Sequence, residues 1–249
     1  TDAFFPGDSD PTTVTNPVDS DTDDDGLTDG EEDPDQDGVQ SSTEPDPVDA
    51  DTDDDGLLDG HEVFGTGALS NWDPTDPINP DSDFDGLQDG TEAGEVDGHP
   101  VDTDFLIFIP DHDPNTETDP NDDDYDDDFL LDGEEDLNLN GRWEGNRPGL
   151  ANDEADPALF DTDGDGLSDF NEGGSAGPDD DLDDIINALD ECFGDNSFGD
   201  ADADGLCDND DLCVGDDDSG DTDGDGICDD IDVCPLDDPD DSDGDDICD

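Results

Sequence analysis

The sequence predicts a mostly irregular, metal-stabilised repeat array: little regular secondary structure, short strands and turns, and a short helix near 181–190. Three observations lead there. Of 249 residues, 88 are acidic and two are basic, Arg142 and Arg147, giving a net charge of −86. Hydrophobic residues make up 27% and aromatic residues 6%, too little apolar surface for a large core to offset the lost chain entropy. The acids also recur in phase with glycine and with an apolar residue, which a disordered acidic tail would not do.

Such a surface repels nucleic acid and anionic membranes, so neither is an expected partner; cations are. The longest apolar run is FLIFI at 105–109, far short of a membrane span, so no membrane insertion is expected. There is no Met and no charged-then-apolar leader, so the chain reads as a processed product or a fragment.

Aligning on D-x-D-x-D-G gives eleven twelve-residue loops, the last cut short at Asp249. Oxygen ligands are expected at positions 1, 3, 5, 9 and 12, with the backbone carbonyl at 7. In the first loop these are Asp21, Asp23, Asp25, Leu27, Asp29 and Glu32; in the second, Asp33, Asp35, Asp37, Val39 and Glu44. Next come Asp51, Asp53, Asp55, Leu57, Asp59 and Glu62, then Asp81, Asp83, Asp85, Leu87, Asp89 and Glu92. The fifth and sixth loops offer Asp124, Asp126, Asp128, Leu130, Asp132 and Glu135, then Asp136, Asn138, Asn140, Arg142 and Glu144. The seventh has Asp161, Asp163, Asp165, Leu167, Asp169 and Glu172, and the eighth Asp179, Asp181, Asp183, Ile185 and Asp190. The last three bring Asp200, Asp202, Asp204, Leu206, Asp208 and Asp211; Asp221, Asp223, Asp225, Ile227, Asp229 and Asp232; and Asp241, Asp243, Asp245, Ile247 and Asp249.

Acids fill 49 of the 54 side-chain positions, but the alignment itself selects Asp. Gly at position 6 in eight loops and an apolar residue at position 7 in ten are the more independent signs of register. Pro also stands four residues before position 1 at Pro17, Pro47, Pro77, Pro120 and Pro157, a rigid lead-in. Each follows an Asn or Asp (Asn16, Asp46, Asp76, Asp119, Asp156) whose oxygen is a further candidate ligand.

The expected ion is Ca2+, a hard cation that takes roughly 6–8 oxygens at about 2.3–2.6 Å. Alternate carboxylates on a tight loop meet that demand, and an acid at 12 closes the shell. Mg2+ keeps its waters and prefers strict octahedra. Zn2+ would want His or Cys, and His61, His99 and His112 are dispersed surface residues. The loops share EF-hand spacing, but those at 21 and 33 abut, as do those at 124 and 136, so flanking helices do not fit. The apolar step also falls at 7 where the EF-hand has it at 8. The alternative for DDLDDIINALDE is a short helix with Leu182, Ile185, Ile186 and Leu189 on one face.

Stretches such as DPTDPINPDSDFDGLQDGTE and DPALFDTDGDGLSDFNE make residues 16–172 resemble cysteine-free thrombospondin type 3 repeats of the bacterial style. Residues 179–249, with DTDGDGICDDIDVCP, are similar to the cysteine-bearing style of animal thrombospondins. The resemblance implies extracellular calcium binding, often with paired ions, and a chain wrapped around a metal core. Three departures stand out. Phe129 replaces the position-6 Gly, so that turn should distort. Asn138, Asn140 and Arg147 weaken the loop at 136 or leave it to be completed from elsewhere. Asp184 and Asn187 alter the loop at 179.

All six cysteines follow residue 190. Their 21-residue recurrence favours Cys192–Cys207, Cys213–Cys228 and Cys234–Cys248 among 15 pairings, and the resemblance agrees. No C-x2-C suggests thiolate zinc, and disulfides imply an oxidising, extracellular or cell-surface location. The expected organisation is an N-terminal arm (1–15), cysteine-free calcium repeats (16–94), an insertion with an apolar strand at its centre (95–118), more cysteine-free repeats (119–177) and disulfide-stapled repeats (178–249). Phe4–Phe5 and the 105–109 run are candidates for a subunit contact, against the plainer reading of local packing. Trp72, Tyr125 and Trp143 read as packing residues.

No nucleophile elbow, phosphate loop or His triad is present, so an enzyme is not expected. The expected function is an extracellular calcium-binding structural protein: a rigid stalk, a matrix component or a self-assembling fibre subunit. Its partners would be calcium ions, further copies of the chain, or a matrix or cell-surface protein. The alternative is a calcium-dependent adhesion module. A salt-loving source would spread acids broadly rather than phase them, and mineral nucleation is a further alternative.

Overall fold

Left-handed backbone at two fixed steps shapes the loops. At position 4, Asp24, Asp54, Phe84 and Asp127 have φ between 63° and 70°. At position 6, Gly26, Gly56 and Gly86 reach 97–111°, a region that glycine enters without Cβ strain. Two such residues, one step apart, curl the chain until its N–H groups point inward. In the loop at 51, Asp55 and Gly56 N–H donate to the two oxygens of Asp51 (3.1 and 3.2 Å), and Leu57 N–H donates to Asp55 Oδ1 (2.7 Å). The expected distortion at Phe129 does not occur. Phe129 keeps the left-handed turn (φ 85°) and donates its N–H to Asp124 Oδ2 (3.0 Å), as Gly38, Gly56 and Gly141 do to position 1 of their loops.

The computed structural model describes residues 14–36, 38–145, 154–164, 167–178, 185–190, 207, 222 and 227–229. Regular structure is sparse. Among the described residues there are five short helices, α1 Asp29–Glu32, α2 Asp59–Phe64, α3 Asp89–Glu92, α4 Asp132–Glu135 and α5 Asp169–Glu172, with three 3₁₀ turns. Every α-helix begins at position 9 of its loop. Position 8 is extended in each, so it serves as the N-cap residue, and acids at 9 and 12 complement the positive helix start. Helices therefore lie inside the loops rather than flanking them, which abutting loops still accommodate.

The expected strands are absent among the described residues; the only bridge positions there are the Gly145–Glu154 pair and Ile227. The 105–109 run is a turn, closed by Ile107 and Phe108 N–H on the Asp104 carbonyl (2.8 and 3.0 Å). Its residues lack a neighbouring strand edge and divide instead: Phe108 is buried while Leu106 is 94% exposed. The helix expected near 181–190 reduces, within its described part, to one 3₁₀ turn, Asn187–Leu189.

The chain forms two compact units, Thr1–Gly145 with Glu154–Phe160, and Asn146–Asp153 with Asp161–Asp249. In the first, loops stack in the order 21, 51, 81, 124. Each junction uses the glycine at position 10, whose N–H donates to the position-5 carboxylate of the loop before. Gly60 reaches Asp25 (2.7 Å), Gly90 reaches Asp55 (3.1 Å) and Gly133 reaches Asp85 (2.6 Å). The approach is close enough that a Cβ on Gly60 would lie 2.5 Å from the Asp25 carbonyl oxygen, and one on Gly133 2.6 Å from that of Asp85. In the second unit the loop at 161 has Phe170 at this position.

A small apolar cluster of Leu57, Leu69 and Ala93, with Ala68 and Trp72 against it, lies beside the stack. Trp72 also meets Tyr125 edge-on at 6.0 Å, as packing residues do. The insertion straps two loops: Phe108 covers Gly56, Thr103 donates to Asp51, and Ile109 N–H donates to Gln88 Oε1 (2.7 Å). Phe4–Phe5 lie outside the described residues, so of the two contact candidates only 105–109 is placed, with Phe108 packed locally.

Candidate metal centres

Buried polar and charged side chains outnumber buried apolar ones, 23 to 11 among the described residues. Eighteen of the 23 are carboxylates. The chain has no lysine, and Arg142 is exposed. Leaving ionised carboxylates buried without counter-charge costs several kcal/mol each, so this interior calls for protons or cations.

The expected ligands converge in several loops. Asp21, Asp23 and Asp25 place one carboxylate oxygen each within 4.8 Å of one another, as do Asp51, Asp53 and Asp55. Asp33, Asp35 and Glu44 do the same in the second loop, where Asp37 lies outside the described residues and Ser41 at position 9 donates to Glu44 Oε2 (2.8 Å). Both Asp53 oxygens and Oδ2 of Asp23 and of Asp83 are buried and accept no hydrogen bond. Burial, then the neighbouring carboxylates, raises Asp53 to about 8, Asp83 to about 7 and Asp23 to about 6.

Position 9 behaves differently. Its carboxylate is clasped by position 2 of the same loop, through N–H and hydroxyl together: Thr22 on Asp29 (2.9 and 3.1 Å), Thr52 on Asp59 (2.9 and 2.6 Å) and Ser82 on Asp89 (2.7 and 2.7 Å). Thr162–Asp169 and Thr222–Asp229 repeat it. Tyr125 keeps the N–H bond to Asp132 (3.0 Å), but has no hydroxyl near Cβ, and Asp132 Oδ2 is left buried and unbonded. Burial and nearby acids raise Asp132 to about 8, against about 7 for Asp59 and about 6 for Asp89. The hydroxyls at position 2 were not among the expected site residues. Their recurrence at Thr22, Thr52, Ser82, Thr162 and Thr222 was the available signal.

The clasp aims position 9 across the junction. Asp59 joins Asp25 and Glu32 of the preceding loop, and Asp89 joins Asp55 and Glu62. Glu32 is fully buried and neither oxygen accepts a hydrogen bond; burial and the surrounding aspartates push it up to about 9. Glu62 and Glu92 are raised for the same reasons. Each has one oxygen bonded to a threonine, Thr75 or Thr118 (both 3.1 Å), and one without a partner.

The loop at 136 has the fully buried Glu154 beside it: Asn138 donates to both Glu154 and Glu144 (2.6 Å each). Burial, with Glu144 alongside, raises Glu154 to about 7. Asn140 instead accepts from Arg142 N–H (2.9 Å). The residues ahead of proline mostly serve turns: Asn16, Asp46, Asp119 and Asp156 accept N–H bonds from two residues on. Asp54, out of ligand register, accepts from Asp104 N–H (2.6 Å) and so anchors the insertion.

Outside the described residues lie Asp165, Asp179, Asp181, Asp183, and all expected ligands from Asp200 onward except Ile227 and Asp229. Cys207 and Cys228 are buried and disulfide-bonded; the expected partners Cys192 and Cys213 are not described, so the pairing itself lies outside. No protein-family model matches the chain, and no curated protein or solved structure matches it.

Proposed function

We propose that the protein is an extracellular calcium-binding structural protein whose loops fold around Ca2+, on the order of one to two ions per loop. The observation that carries this reading is the set of buried position-12 glutamates, Glu32, Glu62 and Glu92, with oxygens that accept no hydrogen bond amid other carboxylates. An all-oxygen, multi-carboxylate donor set on curved loops suits Ca2+ better than Mg2+ or Zn2+. Ion binding then supplies the cohesion that the small apolar cluster does not, and binding free energy becomes folding free energy. The thrombospondin type 3 resemblance agrees with this role, as a stalk, a matrix component or a fibre subunit.

A second reading, a calcium-dependent adhesion module binding a cell-surface or matrix partner, is favoured by the exposed apolar tip formed by Phe105, Leu106 and Ile107. The test of the main reading is calorimetric titration of the chelator-treated chain with Ca2+ and with Mg2+. Many Ca2+ equivalents per chain and far weaker Mg2+ uptake are expected. Uptake of neither ion would overturn it.

A further inference from the structure

The glutamate at position 12 belongs to two loops at once. Glu32 lies with Asp25 of its own loop and Asp59 of the next, all three buried, with one oxygen of each within 4.8 Å of the others. Glu62 repeats this with Asp55 and Asp89. Both Glu32 oxygens and Glu62 Oε2 are buried without a hydrogen-bond partner. The third carboxylate arrives only because the loops stack. Gly60 and Gly90 N–H bond the position-5 carboxylates, and that contact carries Asp59 and Asp89 to the junction. Position 12 alone would leave a cluster within one loop; the clasp at position 2 and the glycine at position 10 turn it into a site shared between two.

We propose that a divalent cation is held at each of these junctions by positions 5 and 12 of one loop and position 9 of the next. These ions are additional to those held within a loop by positions 1, 3 and 5. The inference rests on the calcium reading above and deepens it: the junction ion binds loop to loop, so separating two loops releases an ion even when every carboxylate remains. Like charges brought this close repel strongly in a buried setting, and a shared cation converts that repulsion into the force that holds the stack.

Alanine at position 10 separates the two ideas. In Gly60→Ala the new Cβ would meet the Asp25 carbonyl oxygen at 2.5 Å, prising the loops apart without removing a ligand. Gly30→Ala is the matched control, because nothing lies within 4 Å of its Cβ. Native mass spectrometry of the full chain in Ca2+ counts bound ions directly. Gly60→Ala is expected to bind one ion fewer than the wild type, and Gly30→Ala the same number. Gly90→Ala repeats the test at an independent junction. A wild-type count in both Gly60→Ala and Gly90→Ala, or an equal loss in Gly30→Ala, overturns the shared site. A wild-type chain that binds no Ca2+ overturns the calcium reading itself.

Discussion

Single residues in these loops do separate tasks that their shared chemistry conceals. Aspartates at 1, 3 and 5 converge, whereas the aspartate at 9 is fixed by a hydroxyl seven residues earlier and turned toward the neighbouring loop. Asp54 differs from Asp53 and Asp55 by one step, yet it anchors the insertion rather than joining the cluster. Phe129 holds a conformation that its five counterparts at position 6, among the described residues, reach as glycine. A side chain in the left-handed region costs roughly 1–2 kcal/mol, and Phe129 is 76% exposed, so little packing offsets that cost. Phe129→Gly is expected to stabilise the calcium-loaded chain by about 1 kcal/mol, seen as a higher thermal midpoint. An unchanged or lower midpoint would show that the turn is not strained.

At the scale of the element, the repeat was legible because its markers are one-letter events: Asp on alternate positions, Gly at 6, an apolar residue at 7. The one-turn helices were not, since four residues such as DGTE at 89–92 are too short to show a helical period. The apolar run at 105–109 invited a strand from its Phe, Leu and Ile content, but strand propensity counts only beside a partner strand. Here its one buried ring, Phe108, fills the space over Gly56. The contact of Glu154 with the loop at 136 could not be read from spacing, because it lies ten residues beyond the last expected ligand, Glu144. The junctions were likewise hidden. Gly60 and Asp25 are 35 residues apart, and only the folded chain shows why glycine is required at Gly60.

For the whole molecule, the interior is a charge problem before it is a packing problem. Glu32, Asp53, Asp132 and Asp59 are raised to about 9, 8, 8 and 7 by burial and by neighbouring carboxylates. A carboxylate whose folded pKa exceeds its unfolded value of about 4 favours the fold at low pH. That contribution falls progressively above about pH 4 and is gone once pH has risen through the folded values of about 7 to about 9. In chelator, the chain should therefore be more ordered at pH 5 than at pH 8. With Ca2+ present the direction reverses, because protons compete for the ligands. Circular dichroism at the two pH values checks both signs. The central claim, that cations supply the cohesion of this fold, is tested most directly by small-angle X-ray scattering at neutral pH as chelator is replaced by millimolar Ca2+. The metal-free chain should show a radius of gyration near or above ~55 Å, the unfolded expectation for its length. Calcium should lower it sharply, with a scattering profile characteristic of a folded chain. Identical profiles with and without calcium would contradict the account.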